Sequence, residues 1–203
     1  IICDGSAVYG LGNYGPLAVL PALEGKSVFH KTYAGIDAYP IPVDTQDVDE
    51  IVRLIKLIEP TFGGFHLEDI AAPKCFEIEK KLKEVLEVPF MHVDKEGSGV
   101  AILAAIINSA KLTHKNLRNL SIVIAGAGTA GISTAKLLVK AGIENVVVCD
   151  KNGAIYKGRE SSSNGIKSEI AEITNPQNKK GQIEEIIHGA DVFIGLSGPG
   201  AIT

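Results

Sequence analysis

Two groups of residues in this chain have types and spacings that can do chemistry. The first is Gly126-Ala127-Gly128-Thr129-Ala130-Gly131, which fits G-x-G-x-x-G. It follows the apolar run Leu120–Ala125 and precedes a helical pattern, Ala130–Ala141; Asp150 closes the next apolar run, Asn145–Asp150, 19 residues after Gly131. A dinucleotide needs these types in this order. Gly126 permits a tight turn, Gly128 lets backbone approach a pyrophosphate, Gly131 allows helix and strand to pack closely, and the helix N-terminus faces the phosphates. Asp150 would accept hydrogen bonds from the adenosine ribose hydroxyls. A carboxylate there repels a 2′-phosphate and so favours NAD over NADP, while the neighbouring Lys151 offsets part of that repulsion. The spacing recurs in Gly10-Leu11-Gly12-Asn13-Tyr14-Gly15, after a short strand Ala7–Tyr9. There, a short helix carrying Pro16 and Pro21 offers little aligned backbone to a phosphate, so this copy reads as a plain turn.

The second group is acidic. Glu68 and Asp69 end an expected strand Phe62–Leu67, and Asp94 ends another, Val88–His92, with a helix between them. A crossover of this kind makes the two strands parallel and neighbouring, and brings the three acids to the carboxyl edge, where open α/β sheets bind ligands. Convergent carboxylates repel one another unless something positive sits between them, and oxygen donors suit hard divalent ions such as Mg²⁺ or Mn²⁺. Spacing alone leaves a second reading open, in which these are solvated acids favoured by a helix dipole. Lys26, ahead of an expected strand Ser27–Thr32, reads on its own as a surface lysine. His66 and His92 precede the acid sites and take no assignment, and Cys149 reads as a buried strand residue.

Both groups need a frame that alternates strands with helices, and the rest of the sequence supplies that pattern, which is the mark of a parallel sheet with helices on its faces. A strand Ile41–Val43 leads to a helix from Val48 to Glu59, opened by Asp47 as N-cap with Glu50 three residues on. A helix from Pro73 to about Glu87 carries Phe76, Ile78, Leu82, Val85 and Leu86 as its apolar stripe. After Gly97-Ser98-Gly99 comes a helix from Val100 to about Lys111, apolar on nearly every side and therefore expected to be buried between two lobes. Thr113–Asn119 reads as a loop. Beyond Asp150, a polar stretch from Lys151 to Ser168 reads as an exposed excursion before helices near Ile166–Ile173 and Gln182–His188. A strand Asp191–Leu196 ends at the loop Ser197-Gly198-Pro199-Gly200.

Composition bounds the function. With 203 residues, 45% of them hydrophobic, the chain can bury a sizeable core. A net charge of -4 without a polybasic run argues against nucleic-acid binding, which needs a basic face to replace phosphate counterions. Cys3, Cys75 and Cys149 are odd in number and widely spaced, which excludes a disulfide framework and points to a reducing, cytoplasmic compartment. No apolar stretch approaches the roughly 20 residues of a membrane span, and the start IICDG lacks a secretion-signal layout. The first residue is not Met and the one Met is Met91, so the sequence is expected to be a fragment.

Taken together, GLGNYGP, EGKSVFHKTYAGIDAYPIPVDT, GGFHLEDIAAPKCFEIE, GAGTAG, TNPQNKKG and GADVFIGLSGPG resemble the malic enzymes, especially their shorter microbial form, in order along nearly all of the chain. The resemblance implies a substrate and metal lobe over residues 1–96 and a Rossmann-like dinucleotide-binding lobe over residues 97–203. It implies Mg²⁺ or Mn²⁺ held by Glu68, Asp69 and Asp94, and Lys26 as general base. It further implies NAD or NADP contacts from Gly126, Ala127, Gly128, Thr129, Ala130, Gly131, Asp150, Ser197 and Gly198. The activity it implies is oxidative decarboxylation of malate to pyruvate and CO₂, in a homodimer that acts on a small molecule without nucleic-acid or membrane partners. Two other readings stand beside it, a non-catalytic dinucleotide-binding module and a malolactic-type enzyme that keeps its cofactor bound. The chain departs from the family where paired aspartates are usual and it has Val93-Asp94, continuing Lys95-Glu96-Gly97-Ser98 in place of a polar pair, Gly and Thr. The family's acid tyrosine would precede Ile1, and its substrate-contacting asparagine segment would follow Thr203.

Overall fold

The computed structural model describes residues 1–8, 11–159, 165–198 and 200. The chain forms two compact units, Ile1–Asp94 and Lys95–Thr203. No described helix is long and apolar enough to cross a membrane.

The first unit is built on a parallel sheet of four strands in the order β2-β1-β3-β4. These are β1 (Ile2–Cys3), β2 (Ile41–Pro42), β3 (Phe65–Leu67) and β4 (Phe90–His92). Because strand side chains alternate, Ile1 and Cys3 enter one core with Val8 and with Val19 and Leu23 of α1 (Gly15–Ala34). Ile2, Phe65 and Leu67 enter another with Ile51 and Ile55 of α2 (Val48–Ile58) and Cys75, Ile78 and Leu82 of α3 (Lys74–Val85). Each fully buried Ile or Leu contributes roughly 1.5–3 kcal/mol to this packing. The α2 start is as the sequence predicts, with the Asp47 side chain accepting from the Glu50 N–H at 2.9 Å. The β3–α3–β4 crossover is parallel and neighbouring, pairing Leu67 with His92.

Two expectations in this unit fail. Ser27–Thr32 is not a strand but part of α1, which runs for 20 residues. The helix is held by a narrow buried stripe, Val19 and Leu23, while Val28, Phe29 and Tyr33 stand exposed, so the apolar pattern around Lys26 does not report a core. Its length also removes the reason given for discounting the upstream glycine turn. Its N–H groups do not face outward, however: those of Tyr14 and Gly15 both donate to the Gly5 carbonyl, each at 3.1 Å. Where Ala7–Tyr9 was expected as a strand, Val8 forms a bridge with Gly12, and Tyr9 and Gly10 lie outside the described residues. The short central strand β1 had no counterpart among the sequence expectations.

The second unit opens with α4 (Val93–Leu112), whose first residues belong to the preceding unit. Gly97-Ser98-Gly99 is helical rather than a break, and Asp94 lies in the first turn rather than at the end of a strand. Gly99 is buried where an added Cβ would press on Leu137 and Thr134 of α5 (Thr129–Lys140), so its missing side chain lets the two helices approach. The expectation that α4 is buried fails, since Val100, Ala101, Ala104 and Ala105 are exposed. The sheet runs β7-β6-β5-β8, formed by β5 (Ser121–Ala125), β6 (Asn145–Asp150), β7 (Gly153–Ala154) and β8 (Val192–Gly195). Strands β6 and β8 flank β5 in parallel, and β7 folds back antiparallel on β6. Two helices, α6 (Gly165–Ile173) and α7 (Ile183–Ile186), complete the unit. Residues 160–164 of the expected polar excursion, and Pro199 of the final loop, lie outside the described residues.

Candidate functional site

In the first unit, Glu68 and Asp69 leave β3 and Asp94 follows β4, and each offers a carboxylate oxygen within 4.8 Å of the others. Among the described residues this is the one cluster of His, Cys, Asp or Glu side chains close enough to share an ion. Asp69 sits at φ 51, the left-handed region that Asp tolerates better than most residues. That turn points its N–H at Asp94 Oδ2, 2.9 Å away, and ties the end of β3 to the start of α4. Burial, and then the Glu68 charge, push the Asp94 carboxyl up from its ordinary range. Glu68 behaves oppositely. Burial pushes it up, but hydrogen bonds from His66 and Lys26 outweigh burial and hold it down. An ionised Glu68 beside a carboxyl under repulsion is the balance that a hard cation relieves, so the donor set fits Mg²⁺ or Mn²⁺.

Lys26 reaches this cluster from α1 and pairs with Glu68 Oε1. Its side chain is only 21% exposed, so it is not the surface lysine that its sequence context suggests. Glu68 is a carboxylate partner of Lys26, reached across 42 residues of chain. His66, left unassigned from sequence, bonds the other Glu68 oxygen through Nε2 at 2.5 Å. His92 is fully buried near Asp94, where it offsets part of the upward push on that carboxyl.

In the second unit, the glycine turn leaves β5 at the point where the chain has one neighbour strand on each side, a topological switch point. Gly126 adopts φ 115, and an added Cβ would strike the Leu196 carbonyl at the end of β8. The backbone N of Ser197 stands against the turn, 3.0 Å from where that Cβ would lie, and Gly198 follows it. A Cβ on Gly131 would collide with the Gly126 carbonyl oxygen, whereas one on Gly128 would meet nothing within 4 Å. Protein packing thus demands glycine at Gly126 and Gly131, while Gly128 faces open space. Helix α5 starts there with no side-chain cap from Gly128 and no acid in its first turn, so its dipole favours an anion.

Asp150 ends β6 one residue beyond Cys149, whose carbonyl accepts from Gly126 N–H at 2.8 Å. Its carboxylate is already paired: Arg159 Nη2 lies 2.7 and 2.6 Å from its two oxygens, and Lys167 Nζ lies 2.7 Å from one. Burial pushes Asp150 up, but these hydrogen bonds outweigh it and hold the carboxyl below its ordinary value. Sequence reasoning gave the compensating charge to Lys151, which is exposed; Arg159, 8% exposed and also bonded to the Gly153 and Ala154 carbonyls, carries it instead.

Fold and sites define a two-unit α/β protein whose second unit is a Rossmann-like dinucleotide-binding fold. "Malic enzyme, N-terminal domain" matches residues 1–47 and 44–83, and "Malic enzyme, NAD binding domain" matches residues 96–203. The chain belongs to the malic enzyme family. It is 49% identical over 203 residues to the bifunctional malic/malolactic enzyme of Bacillus subtilis, covering all of this chain and 50% of that protein. It is 47% identical over 202 residues to the NAD-dependent malic enzyme of Geobacillus stearothermophilus, covering 42% of it. The crystal structure of the Thermotoga maritima NAD-dependent malic enzyme superposes with a TM-score of 0.93 at 43% identity, over 97% of this chain and 53% of that one. The chain spans about half the length of such relatives, or less.

Proposed function

We propose that this chain is the metal- and dinucleotide-binding part of an enzyme that decarboxylates malate oxidatively to pyruvate and CO₂ while reducing NAD or NADP. The observation that carries the reading is Lys26 placed on Glu68 within the three-carboxylate cluster, in a chain whose other unit has an open glycine turn at a helix N-terminus. Glu68, Asp69 and Asp94 would hold Mg²⁺ or Mn²⁺. The turn from Gly126 to Gly131, with Ser197, Gly198 and the Asp150 side chain, would hold the dinucleotide. When bound, the cation supplies Lewis-acid stabilisation of charge developing on the substrate, and the dinucleotide supplies the hydride acceptor.

The residues of the chain do the rest. In its neutral form Lys26 would take the substrate hydroxyl proton, and its low exposure and Glu68 contact fix where Nζ stands. Gly128 contributes absence, leaving room for a pyrophosphate against the α5 N-terminus. Asp150 would meet the adenosine ribose. Arg159 and Lys167 cancel much of its charge, and so weaken the preference for NAD that a lone carboxylate would impose.

The test is turnover by the complete protein with malate, Mn²⁺ and each dinucleotide. Accumulation of reduced cofactor with pyruvate is expected, and Asp94→Ala should abolish the metal-dependent rate while leaving dinucleotide affinity nearly unchanged. The Bacillus subtilis relative is named for two activities, malic and malolactic, which keeps a second reading in view. Lactate formed without net cofactor reduction would favour it. An Asp94→Ala protein that keeps its metal response would sink the site assignment.

A further inference from the structure

On β3, the period of two turns Phe65 and Leu67 into the core with α2 and α3, which leaves His66 and Glu68 on the face toward α1. On α1, residues four apart stack on one side, and Lys26 and His30 are such a pair. The two repeats meet in register. Lys26 Nζ pairs with Glu68 Oε1. Glu68 Oε2 lies 2.5 Å from His66 Nε2. His66 Nδ1 lies 3.2 Å from His30 Nε2, and His30 Nδ1 lies 2.8 Å from the Lys26 carbonyl oxygen. Chemistry fixes the direction of the outer bonds. A carbonyl only accepts, so His30 Nδ1 donates to Lys26; an ionised carboxylate only accepts, so His66 Nε2 donates to Glu68.

We propose that His66, packed against His30, is a positioning residue for Glu68: its Nε2–H on Oε2, with Lys26 on Oε1, fixes the place and plane of the carboxylate before a divalent cation binds. The proposal rests on the metal reading above. A Glu side chain loses rotamer freedom when it becomes a ligand, and that loss weakens binding unless the side chain is ordered beforehand. Outer partners of metal ligands act in this way, and removing one typically lowers metal affinity 10- to 100-fold. The ring pair is itself restrained, with centroids 5.1 Å apart and planes tilted by 49°, so His66 is not a freely turning donor.

Mn²⁺ titration of the complete protein, followed by the EPR signal of the free ion, tests this without turnover. His66→Leu should raise the Mn²⁺ Kd by about tenfold or more. His66→Gln, which keeps an N–H donor, should recover most of that loss, and His30→Leu should shift the Kd in the same direction by less. A His66→Leu protein that binds Mn²⁺ like wild type overturns the proposal, as does a His66→Gln protein no better than His66→Leu. Should His66→Leu fail to fold, His30→Leu is read in its stead, and an unchanged Kd there overturns it equally. Wild type that binds Mn²⁺ no better than Glu68→Ala would instead overturn the metal reading itself. The two failures are thus distinguishable.

Discussion

The acid cluster and the glycine turn solve opposite problems. Around Glu68 the chemistry is carried by polar side chains that hold one another: Lys26 and His66 on Glu68, and a backbone N–H on Asp94. Around Gly126 it is carried by backbone and by empty space, with closely packed glycines on the protein side and a helix N-terminus on the open side. The first region is therefore sensitive to the loss of atoms and the second to their gain. A side chain removed from the cluster unbalances charge in a fold that is otherwise intact, whereas a methyl added to the turn displaces backbone.

The sharpest way to break the second region is Gly131→Ala. Its Cβ has no room against the Gly126 carbonyl oxygen, so turn and helix must separate. Overpacking of this kind costs about 1–3 kcal/mol; a lower melting temperature and weaker NADH fluorescence titration are expected, with Mn²⁺ binding unaffected. Gly128→Ala is the internal comparison, because it has space and should lose dinucleotide affinity with little loss of stability. If both variants melt alike, packing is not what separates these glycines.

A smaller effect is expected where charge does enter the second region. Arg159→Ala removes the bidentate partner of Asp150 and should lower the preference for NADP relative to NAD by about tenfold, since a single charged hydrogen bond contributes about 1.5–3 kcal/mol. Cofactor titrations on wild type and variant measure the ratio directly, and an unchanged ratio would show that Arg159 serves only the fold. Smaller still is the acid dependence of Asp150. Its folded-state carboxyl lies below the ordinary value, so its contribution to stability is complete above about pH 4 and is lost as pH falls through the lower folded-state value. The melting-temperature gap between wild type and Asp150→Asn should stay level from neutral pH to about 5 and close as pH falls through the lowered folded-state value. A gap that persists in strong acid would mean that the pairing contributes no titratable stability.

How much of this was legible in the sequence follows the same division. The bounds of β6 agree with the expectation, Asn145–Asp150, because a strand buried on both faces reads as an unbroken apolar run between turn residues. The motif residues around Gly126 were also readable, since the turn, helix start and closing acid are local to one strand–helix–strand unit. The acids at 68, 69 and 94 were readable because the crossover rule brings them together. Their partners were not. His30 and His66 are 36 residues apart, and Arg159 and Lys167 meet Asp150 across 9 and 17 residues, distances at which no period of helix or strand applies. Helix α1 was misread because its buried stripe is narrow and its other apolar side chains are exposed, and the start of α4 because Gly99 serves packing rather than a turn.

The wedge of Gly126 against Leu196 bears on how the second unit folds. The glycine turn has the look of a local motif, yet the wall it leans on belongs to β8, whose pairing with β5 begins with mutual bonds between Ser121 and Asp191, 70 residues apart. Strand–helix–strand pairing of β5 with β6 closes a short loop and can form early; joining β8 closes a long one, and such non-local contacts slow folding. The turn therefore acquires its final shape only when the far end of the unit docks, so dinucleotide-binding competence should emerge in the last kinetic phase of folding, after most of the helical signal has been regained.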